Sequence, residues 1–322
     1  MNQNRKFRLI FFSMIICLLF IVSACGNKDD SSANNEKKSD EQESTEVTLD
    51  SAMGEVTIKT DAKKVIAPFH EDALVALGVI PTAKWAIGES VQNYLEDDLA
   101  DVPKLEWNLP LEQVLKQAPD LIILENNMDS YEGTYEDYSK IATTYVMTEE
   151  TTSDWRKQIE TFGKLLGKED EAEKALDNYE AKVSDARKQL DEAIGDETVA
   201  IIWAIGNKFF LFEQDRHSAE VVYSGLDIKA PKLVEELGKV TDAQWNAISL
   251  EKLSELDADH VFLLASEGEQ GIETLENSSV WQSTPAVKNN HVYLMNDPSN
   301  WTNKGLIASQ ETIEDVLSAL VK

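Results

Sequence analysis

Cysteine is nearly missing from this sequence: only Cys17 and Cys25 occur, both near the N-terminus. A disulfide-stapled fold is thereby excluded, and stability has to come from buried apolar surface. Positive charge is also scarce. The 30 Lys and Arg stand against 59 Asp and Glu, giving a formal net charge of −29. A field of that sign repels nucleic acid and excludes DNA or RNA as a partner. Histidine is limited to His70, His217, His260 and His291. They are scattered, and neither HExxH nor CxxC occurs, so no protein-built metal centre is expected. GxSxG and a complete phosphate loop are missing too. Gly163–Lys168 (GKLLGK) is one residue short of such a loop and lies inside a helical stripe. Enzymatic activity is therefore not expected.

What is present begins with an export signal. Arg5, Lys6 and Arg8 precede an almost wholly apolar run from Leu9 to Val22. About 14 apolar residues are too few to span a bilayer, which needs about 20, but they suit a signal-peptide core. The sequence Val22-Ser23-Ala24-Cys25 resembles the lipobox of bacterial lipoproteins. Residues 1–24 are then a cleaved signal, and Cys25 is the lipidated first residue of the mature chain. The protein is held at the extracytoplasmic face of the cell membrane. Residues 25–46 have almost nothing to bury and are expected to be a disordered tether.

Beyond the tether, strand and helix patterns alternate. Val47–Leu49 and Val56–Ile58 flank Met53-Gly54 as a hairpin. The run Val65-Ile66-Ala67, a helix through Ala73, Leu74 and Leu77, the run Leu121–Leu124, a helix around Tyr138–Ala142 and Tyr145–Met147 follow. Alternation at this spacing predicts a parallel α/β sheet covered by helices over 47–150. Residues 151–194 carry no strand signal. Apolar positions from Trp155 to Leu190 recur in steps of three and four, as in one long helix or two abutting ones. Strands resume over 195–322 with Val199–Trp203 and Phe209–Phe212. The chain is expected to end in a helix from about Gly305 to Leu320.

An internal repeat is the most informative feature. Pro110–Leu124 aligns with Ser249–Leu263 at constant offset, matching Leu111 with Leu250, Glu112 with Glu251, Asp120 with Asp259 and Leu124 with Leu263. Each copy reads as a short helix, a tight turn and a buried strand. A Pro or Ser at the helix start with Glu in the first turn is good capping chemistry. Duplication implies two lobes of like construction, each with a carboxylate at the same point on its surface. Two lobes bridged by a helix form a ligand clamp. Glu112 and Glu251 on separate lobes cannot act as an acid–base pair.

The segments LEQVLKQAPDLIIL, ISLEKLSELDADHVFLL and SVWQSTPAVKNNHVYLM, with the closing helix, resemble the iron-siderophore, haem and cobalamin binding proteins of ABC importers over about Val47 to Lys322. The resemblance implies two Rossmann-like α/β lobes joined by a long interlobe helix, the class III periplasmic-binding-protein fold. It also implies an extracytoplasmic, monomeric solute-binding protein that has no intrinsic cofactor and delivers its cargo to an ABC permease dimer. In that family one Glu on each lobe docks against permease arginines, and the matching positions are Glu112 and Glu251.

The cleft should be lined by loops at the carboxyl ends of the strands. The first lobe offers Phe69, His70, Trp85, Trp107, Asn126, Asn127 and Tyr131. The second offers Trp203, Phe210, Arg216, His217 and, in a loop before the last helix, Trp301. Trp155 and Trp281 are expected to be packing, Trp245 to cover the second glutamate helix, and His260 and His291 to be structural. Aromatic walls suit the nearly neutral hydroxamate–iron complexes. Catecholate and citrate complexes are strongly anionic and would want several cations, whereas only Arg216, with Lys208 nearby, is seen. A ferric siderophore of hydroxamate type is the expected cargo, with the iron held by the siderophore. Haem (a Met128–His217 axial pair), ferric citrate and cobalamin are alternatives, and a sensory or adhesive lipoprotein needs no cleft.

Overall fold

The computed structural model describes residues 45–240 and 245–321. Cys25, the signal and most of the tether lie outside the described residues. Strands β1 (Glu46–Ser51) and β2 (Gly54–Lys59) form the expected antiparallel hairpin, with Val47 opposite Ile58. The strands β3 (Val65–Ile66), β4 (Lys84–Ala86), β5 (Lys104–Glu106), β6 (Leu121–Leu124) and β7 (Thr143–Val146) follow. They make a parallel sheet in the order β3-β6-β7 and a parallel pair, β4-β5. All four residues of β6 are buried. An unbroken apolar run is what a strand covered on both faces requires.

The second sheet contains β8 (Val199–Ile205), β9 (Lys208–Leu211), β10 (His260–Leu264) and β11 (Val292–Met295) in the order β11-β10-β8-β9. Only β9 runs antiparallel. The repeat is visible in this topology. β6 follows the Glu112 helix (Leu111–Gln117) and lies between β3 and β7, and β10 follows the Glu251 helix (Leu250–Leu253) and lies between β8 and β11. The repeated aspartates do the same work in each copy. Asp120 accepts the Lys63 and Lys64 N–H groups just before β3, while Asp259 accepts the Thr198 N–H and hydroxyl just before β8.

Between the sheets run two abutting helices, Trp155–Leu166 and Glu169–Ile194. Gly167, in the left-handed region at φ 61°, ends the first, a conformation that favours glycine. The GKLLGK segment is this helix end. A single buried cluster continues from Leu121 and Tyr145 in the first sheet, through Phe162, Tyr179 and Leu190 of the helices, to Ile201, Phe262 and Ile313. A shared close-packed core makes the bridge stiff, because packed side chains cannot slide without opening voids.

The bridge is reinforced by a tie between distant parts of the chain. Asp72, buried in the helix Glu71–Ala76, accepts the N–H groups of Ile307 (3.1 Å) and Ala308 (2.9 Å) at the start of the closing helix Leu306–Leu320. A carboxylate on free N–H groups at a helix start is stabilising. The approach is so close that a Cβ on Gly305 would lie 2.2 Å from the Asp72 carboxyl carbon.

Candidate functional site

In the first lobe, the chain leaving β3 turns through Phe69 at φ 67° before the helix Glu71–Ala76 begins. A left-handed phenylalanine costs about 1 kcal/mol or more, and Gln92 steadies it by donating to the Phe69 carbonyl at 3.2 Å. The Phe69 ring meets Trp85 edge-on at 5.1 Å. Trp85 is fixed at both ends: its N–H donates to Glu71 Oε1 at 2.6 Å and its indole N–H to the Trp107 carbonyl at 3.0 Å. Trp107 is 48% exposed. Buried His70 bridges Glu125 (2.9 Å) and Gln158 (3.1 Å), and the Tyr131 hydroxyl accepts the Glu125 N–H at 3.3 Å. Hydrogen bonds thus fix Trp85 to Glu71 and Trp107, Phe69 to Gln92, and Tyr131 to the Glu125 that His70 holds. Asn126 donates to Glu149 at 2.7 Å, and Asn127 is exposed before a short turn.

Glu71 is a further member that the sequence reading missed. Its side chain is fully buried, and Oε2 has no hydrogen-bond partner. Burial raises its pKa to about 7, against the lowering effect of the Trp85 N–H. The folded state therefore holds a proton that the unfolded chain releases near 4.5. Stability from this group is full below about 4.5 and is lost as pH rises through about 7, by roughly 3 kcal/mol in all. Glu71→Gln should lack this contribution: the wild-type minus variant difference in unfolding free energy should fall between pH 5 and 7.5. A constant difference would contradict the buried proton.

In the second lobe, Trp203 and Phe210 face each other across the β8–β9 ladder, with ring centroids 5.7 Å apart. Trp245, expected only to cover the second glutamate helix, is instead the hub. It contacts Trp203 at 5.1 Å, Phe212 at 4.9 Å and Phe210 at 5.9 Å, and stacks on His217 at 5.5 Å. The Arg216 guanidinium sits 4.6 Å over the same indole. His217 takes φ 46°. Burial, helped by Lys304 and Arg216, lowers its pKa to about 4, so the ring is neutral near pH 7.

Two expectations need correction. Arg216 is not a cleft cation awaiting an anion: it is 4% exposed, and Glu213 accepts from its Nε at 2.5 Å and from a terminal nitrogen at 3.2 Å. Such bidentate pairing neutralises it. Trp301 is not in an exposed loop. It lies in the helical turn Ser299–Thr302, fully buried, against Phe262 at 4.9 Å, with its indole N–H donating to Asp315 at 2.8 Å. A sealed ring offers no wall to a ligand.

The remaining aromatic, histidine and carboxylate positions are placed as follows. Trp155 and Trp281 are buried. His260 bonds Glu197 and Tyr293 and stacks on His291 at 4.5 Å. Met128 packs in the first lobe's smaller core, whereas His217 is in the second lobe. Among the described residues no three His, Cys, Asp or Glu converge to hold a metal, and no helix is long and apolar enough to cross a membrane. Glu112 and Glu251 are both exposed in the first turn of their helices. Glu251's own N–H and the Ser249 hydroxyl hold its pKa below the usual range.

Hydrogen bonds tie the segment beside the first aromatic cluster to the segment that follows Pro298. Asn303 donates to the Val91 carbonyl (2.9 Å), Ser299 accepts the Tyr94 N–H (3.0 Å), and Gln92 between them holds Phe69. Asn303 also lines a cavity with His217.

Similarity to known proteins agrees with this architecture. The chain is 28% identical over 332 residues to the iron(3+)-hydroxamate-binding protein FhuD of Bacillus subtilis, covering 99% of this chain and 98% of the relative. It is 25% identical over 325 residues to the iron(3+)-hydroxamate-binding protein YxeB of the same organism, covering 98% of each. A Bacillus subtilis crystal structure of the FhuD fold family, described as the periplasmic binding protein component of a Fep/Fec-like ferrichrome ABC transporter, superposes with a TM-score of 0.71 at 26% identity. That match covers 85% of this chain and 100% of the other. The periplasmic binding protein family model matches residues 70–298, more than half of the chain. The chain therefore belongs to the periplasmic binding protein family, whose members bind solutes rather than transform them.

Proposed function

We propose that this protein captures a ferric siderophore, of hydroxamate type, between its two lobes and delivers it to an ABC importer from a lipid anchor at Cys25. The observation that carries the reading is the second-lobe aromatic cluster, in which the nearby cation is already neutralised by Glu213. Such a wall favours a large, nearly neutral complex with apolar arms over a polyanionic one. The names of the two hydroxamate-binding relatives support the same choice. Tryptophan fluorescence titrated with ferrioxamine, ferrichrome, ferric citrate and haem tests it. Saturable quenching is expected with the hydroxamates at the lowest concentrations. Preferential binding of ferric citrate or haem would overturn the ligand class, and no quench by any would overturn the cargo.

In the same reading, Glu112 and Glu251 are the permease contacts, one exposed carboxylate per lobe for a cationic partner. Charge-assisted contacts of this kind set on-rate and orientation. Reversing both to Lys should abolish cellular uptake of the labelled ferric complex while leaving affinity in solution within about twofold of wild type. Loss of affinity would contradict the docking role.

A further inference from the structure

Beside the second-lobe cluster lies a cavity of about 150 Å³, walled by both interlobe helices, the turn Glu220–Gly225 and the segment after Pro298. It is too small for a siderophore and has a different character from the aromatic wall. Three cations, Arg156, Arg187 and Lys304, line it against two carboxylates, Glu180 and Glu220. On a chain of net charge −29 this is a local reversal of sign.

Each cation is held in place. The Arg156 guanidinium sits 4.3 Å over the Trp155 ring and 3.3 Å from Glu180. Arg187 donates to the Ser224 and Gly225 carbonyls. The Lys304 ammonium is 3.7 Å from Glu220, beyond ordinary hydrogen-bond distance. Two buried polar atoms of the lining residues have no hydrogen-bond partner: Ser218 Oγ, on a side chain 2% exposed, and His217 Nδ1. Buried polar groups are normally satisfied, and an orphan in a native fold calls for a partner. His217 also holds a left-handed backbone, a strain that concentrates at ligand sites.

From these features together we infer that the cavity is a second binding site, for a compact oxyanion such as phosphate or a small carboxylate. The ion would accept from the Ser218 hydroxyl and the Lys304 ammonium, with Arg156 supplying further charge. Bound there, it would join the start of the interlobe helices to the segment whose Asn303 reaches the first lobe. The inference stands independently of the cargo assigned to the cleft.

Calorimetry and thermal unfolding of the purified protein at fixed ionic strength provide the test, with sodium phosphate and sodium citrate as probes and sodium chloride as control. Saturable binding of phosphate or citrate, with a rise in Tm that chloride does not produce, is expected. Ser218→Ala and Lys304→Ala should each weaken that binding tenfold or more and leave the ferrioxamine titration unchanged. Phosphate alone would identify a mineral anion, and citrate alone a carboxylate. Failure of both probes at millimolar concentration would overturn the proposal. So would equal affinity in wild type and Ser218→Ala, a change of one oxygen atom chosen to leave the fold intact.

Discussion

Replacing Trp245 with Ala should weaken ferrioxamine binding by roughly 30-fold or more, the equivalent of about 2 kcal/mol at 1.4 kcal/mol per tenfold. Trp245 is the one ring that Trp203, Phe210, Phe212, His217 and Arg216 all touch. Its removal takes away the largest face and also frees the guanidinium and imidazole that it aligns. Binding energy concentrates in such central aromatics, whereas rim residues contribute little. Trp107→Ala, at an exposed position, should cost no more than a few-fold. The check is the same quench titration, with circular dichroism establishing that the variant is folded. Equal affinity for Trp245→Ala and wild type would mean that this cluster is core and not a ligand wall.

Gly305→Ala should be among the most destabilising small changes in the molecule. The added methyl would lie 2.2 to 2.6 Å from the Asp72 carboxyl atoms, far inside contact distance. Asp72 cannot retreat without releasing the Ile307 and Ala308 N–H groups. Overpacking plus a lost buried charge-assisted cap amounts to about 3 kcal/mol, or about 4–6 °C in Tm for a chain of this size. A double-mutant cycle isolates the contact. Asp72→Ala alone should cost about 1–2 kcal/mol. In that background Gly305→Ala should add far less than it does in wild type, because the groups that collide are gone. Additive losses would show that the two residues do not meet.

How much of this could be read from the sequence depended on whether the signal was local. The hairpin, the buried strand LIIL and the interlobe helices announced themselves through period and flanking residues. The repeat was legible because identical residues recur at constant offset, and the topology places β6 and β10 at equivalent sheet positions. Trp301 was misread because Ser299–Thr302 is a single polar-looking turn. Its burial depends on Asp315 and Phe262, which no local pattern brings near. Arg216 looked like a free cation because its neutralising partner, Glu213, is one acid among many in an acidic chain. The Asp72–Gly305 tie joins residues far apart in sequence and leaves no periodic trace. An Asp in the first turn of a short helix reads as a cap for its own helix, and it caps another.

The central claim is that a ferric complex sits between the two aromatic clusters. A crystal structure of the complex with ferrioxamine, phased on the anomalous signal of iron, tests it most directly. The account predicts a single iron peak between the Phe69–Trp85 frame and the Trp203–Trp245 cluster, with the siderophore arms against both. Iron bound on one lobe only, or at the cationic cavity beside Lys304, would contradict it.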